Sequence, residues 1–158
     1  MCLTPENFER LCLRFIQSRV GSGQVWRYGR PGQDQGGIDL VALHRTEADR
    51  PRMQTYQCKR IVALSASEMR NIVALFLKGP WSQQADAFYL LCSCDVREAR
   101  LRDAFVKDHR RLLENGIEFE MLGAEELSDA LKTEPRIVHD FFGSPWHDAS
   151  RAIEIEHR

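Results

Sequence analysis

Thr4-Pro5 opens the first regular pattern in the chain, a capping residue and a first-turn proline followed by Phe8, Leu11, Cys12, Phe15 and Ile16 at intervals of three and four. That spacing predicts a helix over residues 5–19, closed by Gly21-Ser22-Gly23. At about 100° per residue, Glu9 falls at the margin of the apolar arc beside Ile16, whereas Glu6 points further into solvent. Glu9 therefore reaches the interior edge of the fold. Val25 to Tyr28 reads as a strand. Ile38 to Leu43 is a second, almost continuously apolar as a strand covered on both faces requires. Met53 to Arg60 is a third, joined to the second by a polar loop as a hairpin.

Ser65 and Glu68 match a capping box, and Met69, Ile72, Val73, Phe76 and Leu77 form a helical stripe that Gly79-Pro80 stops. Asp86 to Cys94 predicts a buried strand. The charged helix after it, Val96 to Glu114, turns Leu101, Phe105, Leu112 and Leu113 to the core and its Arg and Asp residues to solvent. Ile117, Phe119 and Met121 alternate with Glu118 and Glu120, the mark of a half-exposed edge strand. Short helices follow over Glu125 to Lys132 and from Pro135, where Ile137, Val138, Phe141 and Phe142 close the core before Gly143. Residues 1–145 read as one domain. Residues 146–158 read as a C-terminal extension, a linker to a further domain, in which a helix begins at Asp148 without an obvious packing partner.

The length of 158 residues suits one domain, and 43% hydrophobic with 28% charged residues is ordinary for a globular protein. No apolar run approaches the roughly 18 to 20 residues of a membrane span, and no basic start with an apolar stretch marks a leader, so a cytoplasmic location without membrane contact is expected. Cys2, Cys12, Cys58, Cys92 and Cys94 are odd in number, lack a CxxC and lie mostly in apolar segments. They read as buried free thiols rather than as disulfides or a zinc site. The net charge of −1 conceals a split: residues 1–60 carry ten Lys or Arg against six Asp or Glu. The basic excess lies where the candidate chemistry lies, and it attracts phosphates.

That chemistry sits in two phrases. Asp39 interrupts the apolar run of the second strand, and a carboxylate there is costly unless it is paired or metal-bound. Capping of the glycine-rich turn, an ion pair with an Arg, and a metal each meet that cost. On the third strand, alternation puts Thr55, Gln57 and Lys59 on one face and Tyr56 and Cys58 on the other. A solvated strand face explains Gln and Lys as well as a site does. The turn Gly29 to Gly37 lacks a GK[ST], so it is not a Walker loop; its glycines serve turn chemistry or the approach of a phosphate backbone. Asp34 within it reads as turn chemistry.

The order α-β-β-β-α-β, followed by helix, strand and helix, is that of an α/β domain with a mixed central sheet. With Gly36-Gly37-Ile38-Asp39-Leu40 and then Tyr56-Gln57-Cys58-Lys59-Arg60, the chain resembles the PD-(D/E)xK nuclease superfamily. Within it the match is to the Mrr-like restriction endonuclease branch, where the last acidic residue is often glutamine. Glu9 matches the acidic helix residue that many members contribute. The resemblance covers roughly residues 5–95. Ile38 stands where the superfamily's name places proline. The ending from Phe141-Phe142-Gly143 to Trp146 is similar to nuclease domains at the N-terminus of larger NTPase proteins of bacterial antiviral defence.

The resemblance implies a restriction-endonuclease-like fold, with an αβββαβ core plus a C-terminal αβα extension. It implies a metal-dependent DNA endonuclease, the effector of a restriction or antiviral defence system, acting as a homo-oligomer and attached to further domains. Mg²⁺, or Mn²⁺, would be held by Asp39, the Gln57 side-chain carbonyl and the Cys58 backbone carbonyl, with Glu9 reaching it directly or through water. Lys59 would orient the attacking water. Arg30, Gln33, Gln35 and Arg60 are the candidate nucleic-acid contacts. Gln57 is a neutral, weaker ligand than a carboxylate, so a catalytically silent module for nucleic-acid binding or protein assembly is the alternative. Neither Asp39 nor Lys59 is expected to carry packing.

Overall fold

A computed structural model describes residues 3–21, 24–30, 33, 35–45 and 50–143. Its elements are α1 (Pro5–Val20), β1 (Val25–Arg27), β2 (Leu40–His44), β3 (Arg52–Lys59), α2 (Ala66–Lys78), β4 (Ala87–Cys92), α3 (Ala99–Glu114), β5 (Glu118–Leu122), α4 (Ala124–Leu131) and α5 (Pro135–Phe142), with a 3-10 turn at Pro80–Gln83. The expected extension 146–158, its linker role and the Asp34 turn lie outside the described residues.

The strands form one mixed sheet in the order β1-β2-β3-β4-β5. β1, β2 and β3 are antiparallel, with Leu40 opposite Tyr56, whereas β3, β4 and β5 are parallel, with Gln57 opposite Leu90. The fold is therefore mixed α/β, a five-stranded sheet flanked by helices. α2 and α3 cover one face, packing Met69, Val73, Phe76, Leu101 and Leu112 on Val41, Phe88, Leu90 and Phe119. α1, α4 and α5 cover the other, packing Phe8, Leu11, Phe15, Leu127 and Ile137 on Leu40, Ala42, Tyr56 and Leu91. β5 is an edge strand, and its Glu118 and Glu120 are half-buried as their alternation predicts.

Local signals explain the helix ends. Thr4 Oγ1 accepts the Asn7 N–H at 3.1 Å, and Ser65 Oγ accepts the Glu68 N–H at 3.1 Å. α3 starts at Ala99 rather than Val96 because Glu98 is its cap, accepting the Leu101 N–H at 2.9 Å.

Two expectations and one alternative reading need correction. Leu113 is 56% exposed, because the inward seam of α3 is Leu101, Ala104, Asp108 and Leu112. Asp108, expected in solvent, is 7% exposed and its Oδ2 has no hydrogen-bond partner. Burial raises its pKa, with Arg111 3.9 Å away opposing the shift. Finally, β3 has no solvated face: Thr55 is fully buried with its hydroxyl on the Ala87 carbonyl at 2.8 Å, since helices cover both sides of the sheet.

The Gly36-Gly37 turn is set by a close approach to the end of α2. Both residues have positive φ, and a Cβ on Gly37 would stand 3.0 Å from the Phe76 nitrogen. From the other side, a Cβ on Gly79 would stand 2.5 Å from the Gly36 carbonyl oxygen, a backbone atom that cannot step aside. Gly79 itself has ordinary φ, so its substitution is a purely steric test. We expect Gly79→Ala to lower stability by about 1–3 kcal/mol, the range for overpacking, in urea unfolding; an unchanged midpoint would contradict the packing of this turn on α2.

Candidate functional site

The glycine turn delivers Asp39 to the head of β2. The Asp39 N–H donates to the Tyr56 carbonyl at 2.7 Å, and the Tyr28 N–H donates to the Asp39 carbonyl at 2.8 Å. Leu40 is the registered partner of Tyr56, so Asp39 and Leu40 both oppose one residue, as in a β-bulge. A bulge re-aims a side chain and ends pairing. Here the Asp39 Oδ2 accepts the Cys58 N–H at 2.8 Å, joining residues 19 apart in sequence. Regular β2 accordingly begins at Leu40, two residues later than the apolar run suggests.

On a strand, the N–H and C=O of one residue point to the same side, and successive residues alternate. The Lys59 carbonyl accepts the Ser93 N–H at 3.0 Å, towards β4. The Cys58 carbonyl therefore points the other way, to the side of Asp39, beyond the last ladder pair of β2 and β3. The Cys58 thiol is pushed well above its ordinary range by its hydrogen bond with the Cys12 thiol and by burial. It is a neutral packing group under α1, so what Cys58 offers a cation is its backbone oxygen. Cys12, Cys92 and Cys94 are buried free thiols.

Glu9 is on the second turn of α1, between buried Phe8 and Leu11. Its Oε1 lies 3.5 Å from Arg27 Nε. Its pKa is raised by burial and then by the charge of Asp39, and Arg27 opposes both. The Asp39 pKa is also raised, burial outweighing the Cys58 N–H and the charge of Lys59, which lower it. Gln57 and Lys59 are half-buried at the end of β3, on the strand face opposite Tyr56 and Cys58 by alternation. The structure thus gathers Asp39, Cys58, Lys59 and Glu9 around the head of β2, with Gln57 beside them on β3.

The donor set consists of hard oxygens: two carboxylates, an amide carbonyl and a backbone carbonyl. Such a set suits Mg²⁺ or Mn²⁺ and not a thiophilic metal. Two carboxylates that burial makes costly to ionise also gain from a nearby cation. Among the described residues no three His, Cys, Asp or Glu side chains form a metal-binding group, so a cation here would draw on Gln57 and the Cys58 carbonyl as well. The residues fit a hard divalent ion on these terms.

The proposed nucleic-acid contacts are more dispersed. Gln33 Oε1 accepts the Arg30 N–H at 2.9 Å and its own N–H donates to the Arg30 carbonyl at 3.0 Å, so its amide oxygen serves the turn. The Gln35 side chain packs on Gly29, while Arg30 is exposed. Arg60 lines a cleft of about 400 Å³ with Leu3, Phe8 and Leu127. Arg27 was not singled out from the sequence. Its signal was available in the two-residue alternation that places it on the same face as buried Val25, towards α1.

No protein-family model matches this sequence, and no curated protein matches it. Among solved structures, one titled "Crystal Structure Analysis of Mglu" is similar over 58% of this chain and 21% of that one, at 18% identity and a TM-score of 0.28. The chain thus spans about a fifth of that structure. At the level of class, fold and site define a mixed α/β domain carrying a half-buried carboxylate beside a strand-end lysine. No described helix is long and apolar enough to cross a membrane.

Asp39 also sets a pH dependence. A carboxyl whose folded pKa lies above its unfolded value, 3.8, costs the fold nothing while both states are protonated. The cost enters as pH rises past 3.8 and is complete above the folded pKa. Asn keeps an oxygen for the Cys58 N–H but carries no charge. We therefore expect Asp39→Asn to melt above the wild type at pH 7, with the difference shrinking as pH falls towards 3.8. A gain independent of pH, or a loss at pH 7, would refute the assignment.

Proposed function

We propose that this chain is a metal-dependent DNA endonuclease domain of the PD-(D/E)xK superfamily, Mrr-like branch, with a restriction-endonuclease-like fold. The observation that carries the reading is the 2.8 Å bond from the Cys58 N–H to Asp39 Oδ2. It brings the carboxylate of the first phrase onto the middle residue of Gln57-Cys58-Lys59. Asp39, with one oxygen on Cys58 and the other outside that bond, would hold the ion together with the Gln57 and Cys58 carbonyls. Glu9 would complete the set directly or through water. When bound there, Mg²⁺ or Mn²⁺ would supply a water of lowered pKa and neutralise charge on the phosphorane-like transition state. The charge of Lys59 acts on Asp39, and from that place Lys59 would orient the attacking water and face the developing negative charge.

The neutral Gln57 amide weakens the hold on the ion relative to a carboxylate, and it favours one ion over two. Cutting both strands of DNA calls for a homo-oligomer, and the role that suits such a domain is the effector of a bacterial restriction or antiviral defence system within a larger NTPase protein. The same neutral ligand motivates the second reading, a catalytically silent module for nucleic-acid binding or protein assembly.

Cleavage of supercoiled plasmid by the purified chain, with Mg²⁺, Mn²⁺ or EDTA, separates the two. The nuclease reading expects metal-dependent nicking that falls by about 10²-fold or more in Lys59→Ala and in Asp39→Asn. Asn is preferred to Ala because Asp39, contrary to the expectation that it carries no structural load, satisfies the Cys58 N–H. Undiminished cutting by Lys59→Ala would overturn the role of the lysine, and undiminished cutting by Asp39→Asn that of the carboxylate. DNA binding without cleavage under any metal would favour the silent module.

A further inference from the structure

The Glu9–Arg27 pair is a side-chain ion pair at this site that neither the metal nor the lysine chemistry uses. It is built by two independent periodicities. Strand alternation turns Arg27 to the α1 face with Val25, and helix periodicity turns Glu9 to the margin of the buried stripe of α1. Their closest atoms, Arg27 Nε and Glu9 Oε1, are 3.5 Å apart, with the side chains 40% and 31% exposed. Glu6, the other acid of the first turns, pairs with Arg10 at 3.1 Å. Arg27 is also anchored to the Asp39 segment: it lies opposite Leu40, and the next residue, Tyr28, donates its N–H to the Asp39 carbonyl at 2.8 Å. Its guanidinium therefore stands at the same end of β1 and β2 as both carboxylates.

We propose that Arg27 is a positioning residue that holds Glu9 beside Asp39 in the metal-free protein and competes with a divalent cation for the Glu9 carboxylate. This rests on the metal-centre reading above. A monovalent cation paired to a ligand lowers the affinity of that ligand for a second cation, and when the ligand is lost the competition ends with it. Arg27 thus tunes the site to a weaker, concentration-dependent occupancy by metal and keeps two neighbouring carboxylates tolerable without it.

Binding of Mn²⁺ to the purified chain, without DNA and at about 0.15 M salt, is followed by loss of the free-ion paramagnetic resonance signal. The wild type is compared with Arg27→Gln, Glu9→Gln and the double variant, with circular dichroism checking the fold of each. Arg27→Gln is expected to bind Mn²⁺ about two- to fivefold more tightly, the scale of a partly exposed ion pair, and this gain should vanish in the Glu9→Gln background. Unchanged or weaker binding by Arg27→Gln, or a gain of equal size without Glu9, would overturn the role of Arg27 while leaving the metal centre standing. No saturable binding by the wild type would overturn the metal centre itself, and this role with it.

Discussion

A half-buried carboxylate at the head of β2 is the constraint on which the rest of this site depends. Burial makes ionised Asp39 expensive, and the Cys58 N–H at 2.8 Å and the charge of Lys59 only partly offset it. The fold nevertheless keeps Asp39 in place from three directions. Its own N–H is on Tyr56, its carbonyl is on Tyr28, and the glycine turn before it is wedged against the end of α2. Such over-determination is what lets a protein retain a destabilising group, and groups of that kind concentrate where chemistry is done.

The sheet supplies the frame. β3 is the strand that joins an antiparallel half to a parallel half, paired with β2 on one side and β4 on the other. Its last residues outrun the ladder with β2, and the Cys58 N–H and C=O are left facing the Asp39 side chain instead of a neighbouring strand. Helical layers cover both faces, so the polar groups collect at the strand end. The bulge at Asp39-Leu40 adds the final adjustment by turning the carboxylate along the edge.

Charge alternates around that end. Of the two acids, Glu9 is near enough to Asp39 to be raised by its charge, and two bases, Arg27 and Lys59, stand one beside each. A neutral amide completes the group. The balance lets two neighbouring carboxylates coexist.

The elements were legible in the sequence because periods of 3.6 and 2.0 residues report which face of an element is buried. Thr4, Ser65 and Gly79-Pro80 marked helix boundaries through their own backbone chemistry. Asp39 was legible for the same local reason, since a charge inside an apolar run is an anomaly wherever the run is placed. Tertiary structure decided what those residues meet. The bulge, the bond from Cys58 to Asp39 and the Arg27–Glu9 pair depend on strand register and layer packing across gaps of 16 to 19 residues. Local propensity does not encode these. Asp108 and Leu113 were misjudged because charge and apolarity are only proxies for burial, and on α3 the packing against α2 and β5 set which positions faced inward. The sequence by itself determined the elements and the exceptional carboxylate, through interactions within a few residues; partners, register and electrostatic balance came from contacts between distant segments, which exist only once the core has formed.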